Sequence, residues 1–213
     1  MHRKLATIGL AATVAAVSTP ALAVDLSANI GYNSEYIFRG IPQKTSSAFA
    51  GLDLEAGGFY VGTWGADVGD GLEIDYYGGY GFEVGEFSFG VGGTIYTYTG
   101  DFDDTYKEVN LSAGWRWFTF DAAIGEYDNF GGPKLDYEYY SLTGEYNGFF
   151  GRIATFENDF DGMYYEAGYG NTLSVQETDL FDYAFTVIYS DSTLLGDTSD
   201  TNLVLTLSKT FDF

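Results

Sequence analysis

The sequence predicts a closed, all-β antiparallel barrel that crosses a membrane, and three observations predict it. Apolar residues alternate with small or polar ones over runs as long as a tilted membrane crossing. Glycine (29), tyrosine (19) and phenylalanine (18) dominate while proline is rare (3), a composition that favours strands over helices or disorder. The connections alternate between tight turns and longer acidic loops, as membrane barrels require.

The N-terminus sets the compartment. Met1-His2-Arg3-Lys4 is a cationic start, Leu5 to Val17 is apolar, and Pro20 precedes Ala21-Leu22-Ala23. This order reads as a secretory signal peptide over residues 1–23, with Ala21 and Ala23 as the small residues of an A-x-A cleavage site. The apolar stretch is too short for a membrane anchor. A single barrel domain then fills residues 24–213, since no linker or change of composition divides them.

Loss of Arg3 and Lys4 with the signal takes the formal net charge from −22 to −24. Nucleic acid is a poor partner for such a chain, because phosphate recognition needs a basic face. There is no cysteine, and the one histidine is His2. The mature chain therefore has no Ser/His/Asp or Cys/His nucleophile and no ordinary zinc site. No catalytic residue, metal or cofactor is expected, and the chain reads as a non-enzyme.

Twelve alternating runs follow in order, near 26–38, 48–56, 59–67, 72–83, 87–98, 105–115, 117–126, 135–146, 149–156, 163–171, 181–190 and 201–213. In the fourth, Leu72, Ile74, Tyr76, Tyr80 and Phe82 oppose Glu73, Asp75, Gly79, Gly81 and Glu83. In the last, Leu203, Leu205, Leu207, Lys209, Phe211 and Phe213 oppose Asn202, Val204, Thr206, Ser208, Thr210 and Asp212. Tight turns are expected at Gly57-Gly58, Val84-Gly85-Glu86, Arg116 and Asn147-Gly148. Residues 172–180 read either as a long turn or as strand extension, and merging two runs would leave ten strands.

Alternating strands suit a soluble β-sandwich or a membrane barrel. Here the second face carries Gly, Ser, Asn, Asp and Glu, which fits a hydrated lumen. Aromatics at the run ends, such as Tyr36, Phe38, Phe82, Phe87, Trp115, Trp117 and Phe149, suit interfacial girdles. An exported barrel with an even strand count belongs in the outer membrane of a Gram-negative bacterium, in contact with lipid and lipopolysaccharide. Its oligomeric state is not encoded in any visible pattern.

Two segments resemble known sequences. The end, KTFDF, with Leu205, Leu207, Phe211 and Phe213 at alternate positions, resembles the C-terminal signal that the barrel-assembly machinery recognises. NIGYNSEYIFRGIPQ, with GLDLEAGGFYVGTWGADV and LEIDYYGGYGFE, resembles the TorF-type, Gcw_chp-like family of porins. The likeness is carried by Tyr36, Phe38-Arg39-Gly40, Gln43, the GFY and GTW segments, and Asp75 with Gly78-Gly79; Pro42 departs from it. The resemblance implies an outer-membrane barrel and leaves its solute open.

Continuing the parity of the first run sends Tyr32, Tyr36 and Phe38 to lipid, and Asn33, Glu35 and Arg39 inward. The lumen and selectivity candidates are Glu35, Arg39, Gln43, Glu73, Asp75, Asp136, Glu138 and Arg152, with Glu108, Asp121 and Glu166 counted inward as well. A carboxylate-lined lumen favours cations, so the expected function is passive diffusion of small hydrophilic solutes with cation preference. The alternative is a closed barrel whose acidic loops, such as residues 101–104 and 157–161, act as a surface-binding or scaffold element. Signal cleavage predicts a mature protein that begins at Val24, checked by intact-mass measurement of protein purified from membranes.

Overall fold

In the computed structural model, which describes residues 24–213, the chain is a closed barrel of twelve antiparallel strands. They are β1 (Val24–Phe38), β2 (Ile41–Ala56), β3 (Phe59–Gly69), β4 (Gly71–Val84), β5 (Phe87–Tyr98) and β6 (Tyr106–Trp115). β7 (Phe118–Tyr127), β8 (Leu135–Tyr146), β9 (Phe149–Asn158), β10 (Gly162–Val175), β11 (Thr178–Ser190) and β12 (Asp200–Asp212) complete it. Each strand pairs with its sequence neighbours, and β12 returns to β1. The signal-site residues Ala21 and Ala23 lie outside the described residues.

Closure answers the central demand of a bilayer, that every backbone N–H and C=O finds a partner inside the protein. Twelve strands at a spacing of about 4.8 Å and a tilt near 40° give a backbone diameter of roughly 24 Å. Two-residue turns close one end. Gly57 and Gly58 (φ 58° and 88°) and Asn147 and Gly148 (φ 51° and 84°) take the left-handed conformations that match strand twist. Residues 172–180 resolve into strand extension: β10 runs to Val175, and Gln176-Glu177 turn directly into β11.

The outer face is an apolar belt, with Ile30, Leu52, Val91, Val109, Leu111 and Ile124 exposed on it. At the turn end, aromatic rings form a girdle in which Phe82 stacks on Phe89 (5.4 Å) and Phe87 on Trp115 (6.4 Å). The loop end carries a sparser row that includes Tyr165 beside Tyr189 (6.2 Å). At Gly79 a side chain would collide with the Val91 carbonyl and meet the Gly92 Cα at 2.7 Å. The bare backbone there leaves room for the Tyr60 hydroxyl inside the barrel.

The expected second strand, 48–56, is too short, because β2 begins at Ile41 and pairs with β1 up to Phe38↔Ile41. This added hairpin arm leaves the wall. β1 pairs with β12 only from Ser27↔Asp212 to Asn33↔Thr206, and β2 pairs with β3 only from Phe49↔Ala66 onward. Residues 34–48 therefore lack a strand neighbour on either outer edge, and they fold into the mouth of the barrel. Side-chain hydroxyls mark both departures: Ser34 Oγ accepts from Leu205 N (2.8 Å), and Ser47 Oγ donates to the Asp67 carbonyl (2.7 Å).

Because the belt faces hydrocarbon, Leu111→Arg in the middle of β6 is expected to cost about 2–4 kcal/mol. Reversible urea unfolding in lipid bilayers measures the loss, whereas Ser112→Arg on the luminal side of the same strand should cost less.

Candidate functional site in the barrel lumen

The arm turns at Arg39-Gly40, whose positive φ values (48° and 82°) make a tight two-residue hairpin. This turn projects Arg39 across the lumen to Glu108 on β6. Arg39 Nη1 and Nη2 each donate to a Glu108 carboxylate oxygen at 2.8 Å, a bidentate pair. Tyr96 Oη (2.8 Å), Tyr137 Oη (2.8 Å) and Asn110 Nδ2 (2.6 Å) donate to the same carboxylate. The guanidinium also lies over the Tyr139 ring, 4.2 Å from its centroid. Glu108 is thus fully enclosed, and its burial is tolerable because every donor around it is satisfied by it.

A second anchor lies beside the first. Tyr36 on the arm donates to Glu73, which also accepts from Tyr98 Oη at 2.9 Å. Phe38 packs on Tyr96 at 5.3 Å between ring centroids. At the tip, Ser190 Oγ on β11 donates to the Gly40 carbonyl (2.6 Å), and Gly40 sits against Tyr164 and Leu194. The arm therefore touches β4, β5, β6, β8, β10 and β11, and it bridges the lumen from wall to wall. Below it, Arg152 donates to Thr143 Oγ1 (2.9 Å) and Glu166 (3.3 Å), and Tyr77 donates to Asp53 (2.5 Å).

Asp75 is different. Its side chain is 0 % exposed, and neither carboxylate oxygen has a hydrogen-bond partner. It lies within electrostatic reach of Glu73, Glu108 and Arg39, next to the arm. Burying a charged carboxylate without donors is costly, so Asp75 is the one inward acid beside the arm whose oxygens no donor serves among the described residues. Among the described residues, no group of three or more Asp, Glu, His or Cys side chains is arranged to hold a metal ion.

Of the residues singled out in the sequence, Arg39, Glu73, Asp75 and Arg152 are brought into the lumen. Gln43 lies on the arm, with its Nε2 donating to the Ile41 carbonyl (3.0 Å). Glu35 also lies on the arm, opposite Thr45, while Arg39 spans the barrel to Glu108. Two expectations are overturned. Tyr36 and Phe38 do not face lipid, because the arm has left the wall. Asp136 and Glu138 are not luminal: Tyr137 and Tyr139 take the inward positions of β8, and Glu138 accepts from Tyr140 on the outer side.

The reason is common to these cases. A tyrosine ring fills space while its hydroxyl donates to a buried carboxylate, a use for which lipid offers no partner. Tyr139 and Tyr164 even bond to each other (2.7 Å). The signal was present in β8, where Tyr137 and Tyr139 share parity with the small polar Ser141 and Thr143.

An aromatic-girdled, lipid-belted barrel with a polar lumen is a transmembrane barrel of the outer-membrane type. The chain belongs to the Gcw_chp family, described as bacterial protein of unknown function, whose model matches residues 17–155. No curated protein matches it. Among solved structures, it is similar to one from work on in-meso crystallization of membrane proteins, at 9% identity and a TM-score of 0.56, covering 89% of this chain and 84% of that one. It is also similar to OccK1 (OpdK) of Pseudomonas aeruginosa, at 14% identity and a TM-score of 0.42 over 82% of this chain. OprD of the same organism gives 14% identity and a TM-score of 0.40, covering 89% of this chain and 67% of that one. The chain spans 59% of the length of OccK1.

Replacing Arg39 by glutamine leaves Glu108 buried without its ion-pair partner, a loss of about 3–5 kcal/mol in such pairs. The expected outcome of Arg39→Gln is a lower melting temperature together with tryptic cleavage after Lys44, which the seated arm protects in the parent protein. Mass spectrometry of the digest reads the site directly.

Proposed function

We propose that the protein is an outer-membrane channel for passive diffusion of small hydrophilic solutes, with a preference for cations. One observation carries this reading. Below the arm, polar side chains bond to one another across the lumen wall among inward rings such as Tyr60, Tyr77 and Phe150: Thr94 with Asn110 (2.8 Å), Ser141 with Asp121 (3.5 Å), and Thr172 with Asp182 (2.5 Å). A barrel that served only as an anchor gains nothing from a hydratable interior. The inward carboxylates of Asp53, Asp121, Glu166 and Asp182 outnumber the Arg152 guanidinium in this half, which raises the local concentration of cations. The TorF-type resemblance of the segment around Arg39 supports the same reading, as does the outer-membrane form of the fold.

For this chain the reading goes only as far as charge and size. The C-terminal positions Leu205, Leu207, Phe211 and Phe213 lie on β12 and at its end, the strand that closes the barrel, and they are proposed as the segment read by the barrel-assembly machinery.

A second reading has its own observation. The arm fills the mouth so completely that Glu73 is 1 % exposed, which suits a closed barrel that presents its acidic loops as a binding or scaffold surface. Planar-bilayer recording under a salt gradient separates the two. The channel reading expects discrete conductance with a reversal potential on the cation side, and Asp121→Asn with Glu166→Gln should move that potential toward zero. A silent bilayer, or anion preference, would favour the closed barrel.

A further inference from the structure

We infer that the arm has a second seat, the vacant edge of β12, and that moving between the two seats opens and closes the lumen. The inference rests on the channel reading only for its consequence; the exchange itself rests on geometry. The β1–β12 ladder stops at Asn33↔Thr206, yet β12 continues to Asp200 and β1 to Phe38. If the register is continued, Ser34 meets Leu205, Tyr36 meets Leu203, Phe38 meets Thr201, and the turn residue Arg39 meets Asp200. Residues 34–38 with the turn residue Arg39 match the unpaired residues 200–205 of β12, and the two ends reach the same height. On the other side, continuing the β2–β3 register from Phe49↔Ala66 brings Ser47 to Val68 and Ser46 to Gly69. One movement of the arm would restore both ladders.

Four further observations fit that seat. First, the vacant edge lies at the height of the hydrocarbon: Leu203 is 74 % exposed and pairs with the lipid-facing Val187. An open sheet edge there is unfavourable. Second, an apolar groove runs along the outer wall beside this edge, lined by Ala167, Phe185, Val187, Leu203, Leu205 and, at its end, Ser34. The Tyr36 ring would cover it.

Third, in the continued register Phe38 joins the row of Tyr189 and Tyr165, since Tyr189 pairs with both Thr201 and Tyr165. Tyr36 and Phe38 would then face lipid, as the alternation of β1 below the hinge dictates. Fourth, withdrawal of the arm uncovers Asp75, whose two carboxylate oxygens have no partner while the arm is seated. The seated state is held by Arg39–Glu108, Tyr36–Glu73 and Ser190–Gly40, polar contacts that water can replace, and by packing of Tyr36 on Trp64 and Phe38 on Tyr96, which lipid contact would replace. The hinges are the points where Ser34 and Ser47 lend hydroxyls to the departing ladders, with Ser46 held at a φ of 64°. The two seats thus exchange buried polar bonds for ladder bonds and lipid contact, the balance expected of a bistable element.

The chain has no cysteine, so paired cysteines give an unambiguous test in the full-length protein in bilayers. In the seated arm, Phe38 packs inside the barrel against Tyr96 on β5, whereas Thr201 on β12 is exposed on the outer face beside Tyr189. Phe38→Cys with Thr201→Cys can therefore cross-link only in the second seat. Ile30→Cys with Lys209→Cys, an existing ladder pair, controls for folding and oxidation. The expected result is cross-linking of 38 with 201 on oxidation, a several-fold rise in conductance, and reversal by reductant. A control pair that cross-links while 38 and 201 stay reduced would overturn the exchange, and so would cross-linking with an unchanged, nonzero conductance. Cross-linking in a protein that never conducts would uphold the exchange and overturn the channel reading instead.

Discussion

A backbone inside hydrocarbon has no solvent to bond to, and this constraint organises the whole molecule. It dictates strands over loops within the bilayer, antiparallel neighbours in sequence order, and closure of β12 on β1. It also makes the one stretch where the ladder fails informative. Everywhere else the wall is continuous; between Asn33 and the tip of β1 it is not, and there a fifteen-residue arm has been moved from the wall into the lumen. Serine hydroxyls at both hinges take over bonds that backbone groups would otherwise supply.

What holds the arm in place is electrostatics in a dry setting. Arg39 and Glu108 would gain little from each other at a solvent-exposed surface. Enclosed by Tyr96, Tyr137, Tyr139 and Asn110, they form a bidentate pair whose every acceptor is used. Such a pair is weak evidence of net stability, yet losing either partner is costly, because the other would remain as a buried unpaired charge. The arrangement sets the register of the arm while it is seated in the lumen, and Asp75 beside it remains the uncompensated member of the group. The lumen is consequently two regions: an aromatic, ion-paired mouth, and a turn-side half in which Ser, Thr, Asn and Asp side chains stand among fewer inward rings, Tyr60, Tyr77 and Phe150.

The legibility of the site follows the same division. Glu73, Asp75 and Arg152 were readable as inward residues, because each belongs to a strand whose opposite face is plainly apolar, whereas Arg39, in the turn after β1, is inward because the whole arm is. Asp136 and Glu138 were misplaced, because Tyr137 and Tyr139 look like lipid-facing residues until the carboxylate they serve is known. Aromatic rings with hydroxyls are ambiguous by nature, suited to a membrane interface and to a buried acid alike. Glu108 could be placed in the lumen by parity, but nothing local to Arg39 points to a partner 69 residues away.

Alternation with period two, glycine and aromatic content, tight turn pairs and acidic loops were enough to determine a twelve-strand barrel with an apolar exterior. Each of these is a property of neighbouring residues, and a barrel built from consecutive hairpins depends chiefly on neighbours. The inward seat of residues 34–48 was decided only by tertiary structure. Locally, β1 alternates as if it stayed in the wall, and the energy that pulls its end inward comes from Glu73, Glu108, Tyr96 and Ser190 on four other strands. Those contacts exist only once the barrel has closed around them, which is why no reading of the segment by itself could contain them.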